Sequence, residues 1–351
     1  MIVALLGTSP AFADDVADFY KNKSIRLLIG EPSAADIMAD VYRGKSVTFL
    51  ADVKEGSPYD LTARNAAAFL GKYIPSHPVV VPENMPGAAN GRAAEYLYNE
   101  APRDGTVLLV ASPTIVLSQL LTPSVKYRAE EFSWLGRIAP LTQVGFVSAK
   151  KGIVAIDGAK ERDVIIGATA PGNPGAMVPW ALDRLIGTRF KVVRGYVGDT
   201  DLFIAIQRGE IDGMGSVGLS AVNQRGWVAQ KQIDVLYTIS NKRLTVLPAV
   251  PTITELAEND RDRAVLRLLA SISDIGITIV LPPQVPEVRV AALRQAFVKT
   301  IEDLAFIDGE QGIGVDVVPL RAAEVHDMVR GVTDAPKDIV DRLKAAIEPH
   351  N

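Results

Sequence analysis

At 351 residues, 48% of them hydrophobic, the chain can bury a full core and is long enough for two domains. A formal charge of -4, with no basic run interleaved with aromatics, gives no electrostatic reason to expect nucleic acid as a partner. Cysteine is absent, which excludes disulfides, thiolate chemistry and Cys-ligated metal together.

The chain opens on an apolar run from Ile2 to Gly7, followed by Ala11-Phe12-Ala13 and then Asp14-Asp15. An apolar core ahead of small residues is the pattern of a secretory signal, so residues 1–13 are expected to be removed on export. The usual positive n-region is missing, and the expectation is that the signal is truncated. The competing reading of this run is a short buried strand. No later run reaches the roughly 18 apolar residues of a membrane span, so a soluble mature chain is expected.

From Lys45 onward short β-rich runs alternate with helical patterns, the signature of parallel sheets covered by helices. The predicted elements begin with a strand at Val47 to Ala51, a helix from Asp60 to Leu70 closed by Gly71, and a strand at Val79 to Val81. A helix over Gly91 to Asn99 and a strand at Val107 to Ala111 complete a first α/β lobe. Trp134 to Val147 reads as an extended crossing. The second lobe is expected to hold strands at Val164 to Gly167 and Phe190 to Arg194, and helices at Ala176 to Ile186 and Thr200 to Arg208, the latter stopped by Gly209. Further strands are predicted at Asp212 to Gly215 and Asp234 to Ile239. Ile275 to Leu281 reads as the return crossing, followed by a helix from Glu287 to Leu304, a strand at Val315 to Val318, and helices from Arg321 and Pro336. The expected division is 14–141 with 270–351 as lobe one and 142–269 as lobe two. Two crossings between α/β lobes make a hinged cleft, with ligands at the carboxyl ends of the strands that face it.

Phe19 to Leu28 is echoed by Val41 to Leu50, a local duplication far short of a solenoid. Only one copy can lead into the Asp60 helix, so the other is expected to be an edge strand or an N-terminal arm.

Chemistry-bearing residues are sparse. His77, His326 and His350 have no neighbouring carboxylate and serine to suggest a triad, and no His pair has metal-ligand spacing. Gly167 to Gly172 follows a strand, but its glycine spacing fails and Pro171 intrudes, which rejects a dinucleotide loop. No cofactor is expected. The informative set is three glycine-bearing turns between strand and helix: Lys54 to Asp60, Thr169 to Gly175, and Gly195 to Asp201. Free backbone N–H groups at such helix starts can meet an anion, and glycine permits close approach. Asp60, Asp199 and Asp201 read from position alone as helix caps.

Val79-Val80-Val81-Pro82-Glu83-Asn84-Met85-Pro86-Gly87-Ala88, Ala101-Pro102-Arg103-Asp104-Gly105-Thr106, Phe132 to Gly136, Gly209-Glu210-Ile211-Asp212-Gly213 and Leu247 to Thr252 occur in an order and spacing that resembles the Bug-type substrate-binding proteins of tripartite tricarboxylate transporters. The resemblance covers about Tyr42 to Ile347. It implies a type II periplasmic-binding-protein (Venus-flytrap) fold and a monomeric, exported receptor in the periplasm. Such a receptor holds a small carboxylate in the interlobe cleft for the membrane components of a transporter. It further implies that binding residues fall in three loops: Gly56, Ser57, Tyr59 and Asp60; Thr169, Pro171, Gly172 and Asn173; and Tyr196, Gly198, Asp199 and Thr200. Ser112, Thr114 and Ser216 fall on cleft-facing positions by the same resemblance. The first loop departs from the family pattern: Lys54-Glu55 stands for an apolar or proline pair, Ser57 and Pro58 for glycines, and Pro58 has no N–H to offer a carboxylate. A receptor feeding a membrane sensor and an enzyme on the same fold are the competing readings. Catalysis is disfavoured because no nucleophile and base stand together.

Overall fold

A computed structural model of the protein describes residues 41–51, 58–85 and 91–349. The first stretch gives β1 (Ser46–Ala51), α1 (Pro58–Tyr73), β2 (Val79–Asn84), α2 (Arg92–Asn99), β3 (Val107–Ala111), α3 (Thr114–Leu121) and β4 (Ser133–Ala139). Next come β5 (Gln143–Ser148), β6 (Val164–Ala168), α4 (Pro174–Ile186), β7 (Phe190–Arg194), α5 (Asp199–Arg208), β8 (Gly213–Gly218), α6 (Leu219–Gln224) and β9 (Ile233–Thr238). The chain closes with α7 (Asp260–Ile275), β10 (Ile277–Leu281), α8 (Glu287–Glu302), α9 (Leu304–Gly312), β11 (Leu320–Arg321), α10 (Ala322–Thr333) and α11 (Lys337–Ala346).

These strands form two sheets, ordered β11-β4-β10-β3-β1-β2 and β7-β6-β8-β5-β9. In the first, β1 is parallel to β2 and β3, while β10 runs antiparallel between β3 and β4. In the second, β6 is parallel to β7 and β8, and β5 is antiparallel to β8 and β9. β3 and β10 are buried along their whole length, as continuous apolar runs covered on both faces must be.

Topology fixes where a cleft must lie. β4 ends at the crossing Pro140-Leu141-Thr142, and β1, β2 and β3 run in the same direction as β4, so their carboxyl ends share that end of the sheet. β5 begins there, and Gln143 pairs with Gly218 at the end of β8, so the carboxyl ends of β6, β7 and β8 also lie toward the crossing. The two sets of strand ends face one another across the link.

That link is a packed joint. Leu141 N–H donates to the Ser273 carbonyl at 2.8 Å, and a Cβ on Gly276 would stand 2.1 Å from the Ala139 carbonyl oxygen. Gly276 is therefore required by the close approach of the two connections as well as by its φ of 63°. The buried Arg137 donates to the carbonyls of Asp274 and Val318, tying β4 to the end of α7 and to the chain before β11.

Four apolar clusters hold the layers, the smallest being Ala168, Ala176 and Trp180 between β6 and α4. One lies under α1 and α8 against the first sheet, with Phe49, Leu70, Ile279 and Phe297. A second lies under α5 and α6 against the second sheet, where Phe146, Phe203 and Trp227 meet edge to face and stacked. The third is continuous between the lobes: Leu266, Leu269 and Ile272 of α7 and Leu343 of α11 join Trp134 and Val325 on one side to Val178 and Leu182 on the other.

Several expectations need correction. Gly71 does not end α1, which continues to Tyr73; Gly71 is small because a Cβ there would lie 2.7 Å from the Pro78 carbonyl oxygen. Trp134 to Val147 is not one extended crossing but β4 and β5 with a short link between them. Ile275 to Leu281 is not a linker, since Ile277–Leu281 is the central strand β10. Val315 to Val318 is not a strand; Leu320–Arg321 pairs with β4 instead. Helices α3 and α7 were not anticipated. Of the duplicated segments, the second supplies β1, flanked by β2 and β3, with Tyr42 fully buried and donating to the Gly105 carbonyl at 3.0 Å. The first copy and the expected signal segment lie outside the described residues.

Candidate ligand site at the lobe interface

Helices α1, α3, α4 and α5 each start just after a strand whose carboxyl end faces the crossing. Each start carries a partial positive charge; at α3 and α4 the first-turn N–H groups are already engaged, Ile115 and Val116 donating to the Ser112 and Pro113 carbonyls and Gly175, Ala176 and Met177 to Asn173, while Pro174 has no N–H.

In lobe one, Gly56 and Ser57 lie outside the described residues. Tyr59 and Asp60 stand in the first turn of α1. Asp60 is almost fully buried; its Oδ2 accepts from Arg64 Nε at 2.9 Å and its Oδ1 from Asn84 Nδ2 at 2.7 Å. Arg64 closes the triangle by donating to Asn84 Oδ1 at 2.9 Å. This arrangement clamps the start of α1 to the end of β2 and pairs the Asp60 carboxylate with Arg64. Past β3, the Ser112 and Thr114 hydroxyls are 2.8 Å apart, and Ser112 Oγ accepts the Thr114 N–H at 3.4 Å.

In lobe two, the turn after β6 is fixed by its own hydrogen bonds. Asn173 N–H donates to the Ala170 carbonyl at 3.1 Å, and Asn173 caps α4 by accepting from Gly175 N–H at 2.9 Å. Pro171 and Gly172 are exposed at its tip. Gly195 N–H donates to the Thr169 carbonyl at 3.3 Å, which couples this turn to the one after β7. Gly198 caps α5 in an extended conformation, and Asp199 and Thr200 open the helix. Tyr196 packs toward Gly167, where a Cβ would come within 3.6 Å of its ring. Ser216 lies on β8 and donates its hydroxyl to Gln143 Oε1 at 2.9 Å, so it links the second sheet to its first residue after the crossing.

Asp199 is exposed, yet desolvation pushes its carboxyl above the usual range, partly opposed by Arg225. The Arg225 guanidinium lies 3.8 Å from the Phe203 ring centroid and donates to the Ala221 carbonyl at 2.9 Å.

Thr114, Pro171 and Gly172, from both lobes, line one cavity of about 240 Å³ together with Met177, Trp180 and Ile272. The other predicted residues lie at neighbouring strand ends and do not form its wall. Arg64, Asn84, Arg225 and Trp180 were missed as neighbours of the site. Arg64 could have been found from its i+4 spacing to Asp60; no local signal marks the others. A larger hollow of about 860 Å³ lies elsewhere, between α8 and α10, and includes Trp134, Arg294 and His326. It opens by the amino end of β4, away from the strand ends that converge on the crossing, so size alone does not identify the site. His77 Nδ1 donates to the Lys72 carbonyl at 2.8 Å, and His350 lies outside the described residues.

The chain matches the family described as tripartite tricarboxylate transporter family receptor over residues 62–345. It belongs to that receptor family. Comparison with curated proteins by sequence gives no match. Among solved structures, the receptor is similar to a TctC solute-binding protein from Polaromonas, at 17% identity and a TM-score of 0.63 over 84% of this chain and 99% of that one. It is similar to MatC from Rhodopseudomonas palustris, solved with bound malate, at 18% identity and a TM-score of 0.60 over 86% and 99% of the two chains. A further R. palustris protein, solved with adipate, matches at 19% identity and a TM-score of 0.61 over 85% and 97%. At these identities the likeness carries the fold: the receptor has the two-lobed α/β architecture of periplasmic binding proteins with a cleft between the lobes. Among the described residues no helix is long and apolar enough to cross a membrane, and no three His, Asp or Glu side chains gather as a metal site needs.

Proposed function

We propose that the receptor captures a small carboxylate in the interlobe cleft, outside the cytoplasm, and delivers it to the membrane components of a tripartite transporter. The observation that carries this reading is the convergence of four helix starts, those of α1, α3, α4 and α5, on the crossing end of both sheets. Backbone amides there favour a negative group without a dedicated basic residue. The Asp60, Arg64 and Asn84 triangle supports the reading, because it pairs the Asp60 charge that would oppose an anion at α1. The loops at Tyr59, Thr169 to Asn173 and Tyr196 to Thr200 supply the cradle. The expected boundary at 269/270 falls within α7, so in this reading α7 moves whole with the lobe of residues up to 141 and from 276 on, the remainder of the expected 142–269 moves as the other lobe, and the joint lies at Pro140 to Thr142. The malate and adipate of the two R. palustris structures make these acids the natural first probes. Native mass spectrometry of gently purified protein, followed by titration calorimetry with malate, adipate and simple monocarboxylates, tests the proposal. A retained, unchanged acid is the expected result; turnover of the acid, or retention of a cationic ligand, would overturn it.

A further inference from the structure

The cavity that Thr114 and Gly172 share does not end at the helix starts. It continues between the lobes as a chamber walled by Leu117 and Leu121 of α3, Met177 and Trp180 of α4, Ile272 of α7, and Ile347 beyond α11. Leu117, Met177, Trp180 and Ile272 are each at most 5% exposed and form a buried floor, while Thr122, Pro171, Gly172 and Pro349 are exposed at its mouth. Polar side chains are confined to one stripe, Thr114, Ser118 and Thr122, at i, i+4 and i+8 along α3, and no charged residue lines the chamber.

Away from the hydroxyl stripe, the apolar floor gives water few of the two to four polar partners it needs. A cavity of about 150 Å³ lined by apolar side chains takes benzene. At about 240 Å³ this one has room, by the same scaling, for a ring or chain of roughly six to eight carbons. It is too small for most whole drug-sized ligands, whose pockets start at about 300 Å³, and so suits part of a molecule anchored elsewhere. A second carboxylate on the apolar floor would lose hydration without meeting a charged residue of the lining, the Arg194 guanidinium lying outside it, 5.8 Å from the Trp180 ring centroid.

We infer that the acid bound by this receptor is a monocarboxylate with an apolar chain or ring, whose carboxylate sits at the helix starts and whose body fills the chamber beside Trp180. The inference rests on the reading of the cleft as a carboxylate site. The C-terminal segment at Ile347 and Pro349 forms part of the chamber wall, so it takes part in selecting the ligand.

Titration calorimetry of the full chain with straight-chain monocarboxylates from acetate to octanoate, and with adipate beside hexanoate, tests it. Affinity should climb by about fourfold per methylene, the fold-change to which about 0.8 kcal/mol per buried methylene converts, and level off once the chamber is full. Hexanoate should bind at least about tenfold tighter than adipate, since the second carboxylate would be desolvated unpaired. An ω-bromo acid of six to eight carbons should quench tryptophan fluorescence, and Trp180→Phe should abolish that quenching. If the acids bind with no dependence on length, or adipate binds as tightly as hexanoate, the chamber assignment is overturned while the carboxylate site stands. If none of the acids binds, both readings fall.

Discussion

Replacing Gly172 by Val separates ligand contact from folding with little ambiguity. Gly172 is exposed, and a Cβ built on it meets no atom within 4 Å. Its turn is held by backbone and Asn173 hydrogen bonds that the side chain of residue 172 does not touch. The substitution therefore resembles a surface change, with a stability cost within about 0.5 kcal/mol. In the cleft the added isopropyl group fills the space through which a carboxylate approaches the exposed backbone of the Gly172 turn and the positive start of α4. Losing one hydrogen bond to a charged group is worth about 1.5–3 kcal/mol, or roughly 10- to 150-fold in Kd. Calorimetry with the tightest-binding acid, paired with thermal unfolding of the free protein, reads both quantities. Binding within about twofold of the parent protein at an unchanged Tm would refute the amide cradle; a Tm drop of several degrees would refute the claim that the change acts only through the ligand.

Asp212→Asn should leave binding nearly unchanged but destabilise the second lobe by about 1–2 kcal/mol, because Asp212 Oδ2 accepts from Lys151 Nζ at 2.6 Å and from Ile165 N–H at 2.8 Å; denaturant unfolding and calorimetry together check this. Glu310 is fully buried between α9 and α1, held by Thr62 Oγ1 and Asn65 Nδ2 at 2.8 Å each, and desolvation pushes its carboxyl up. A folded pKa above the unfolded one contributes stability at low pH that is lost as pH rises through the raised value, so Glu310→Gln should raise Tm at neutral pH and lose that advantage toward about pH 4. A Tm difference independent of pH would contradict it. Ligand closure should reduce the radius of gyration in small-angle scattering, and because α7 and α11 pack against α4 across the joint, it must proceed with sliding at that contact. No compaction at saturation, from an apo form shown to be open, would count against this.

Much of the fold was legible in local pattern. The strands now seen at β1, β3, β6 and β7 and the helices α1, α4 and α5 lie where apolar runs, periodicity and turn residues predict them, because which face of an element is buried is written within that element. The stop of α5 at Gly209 and the cap of α4 at Asn173 are likewise local chemistry. The three strand-to-helix turns were identifiable as candidate anion sites for the same reason.

What lay between residues distant in sequence was not legible. That Ile277–Leu281 inserts antiparallel between β3 and β4, and is not a linker, depends on pairing with residues more than 130 positions away. The Asp60, Arg64 and Asn84 triangle forms only when β2 returns beside the start of α1. The chamber beside Trp180 draws its wall from α3, α4, α7 and the C-terminal segment. Sequence alone determined the repeating strand, turn and helix units and their anion-ready starts, since these follow from periodicity and backbone chemistry within a few residues. Only the tertiary structure decided which starts converge, what pairs with the acid beside them and what space is left for a ligand's body, because cavities and buried charge partners are set by the packing of elements that the chain does not place side by side.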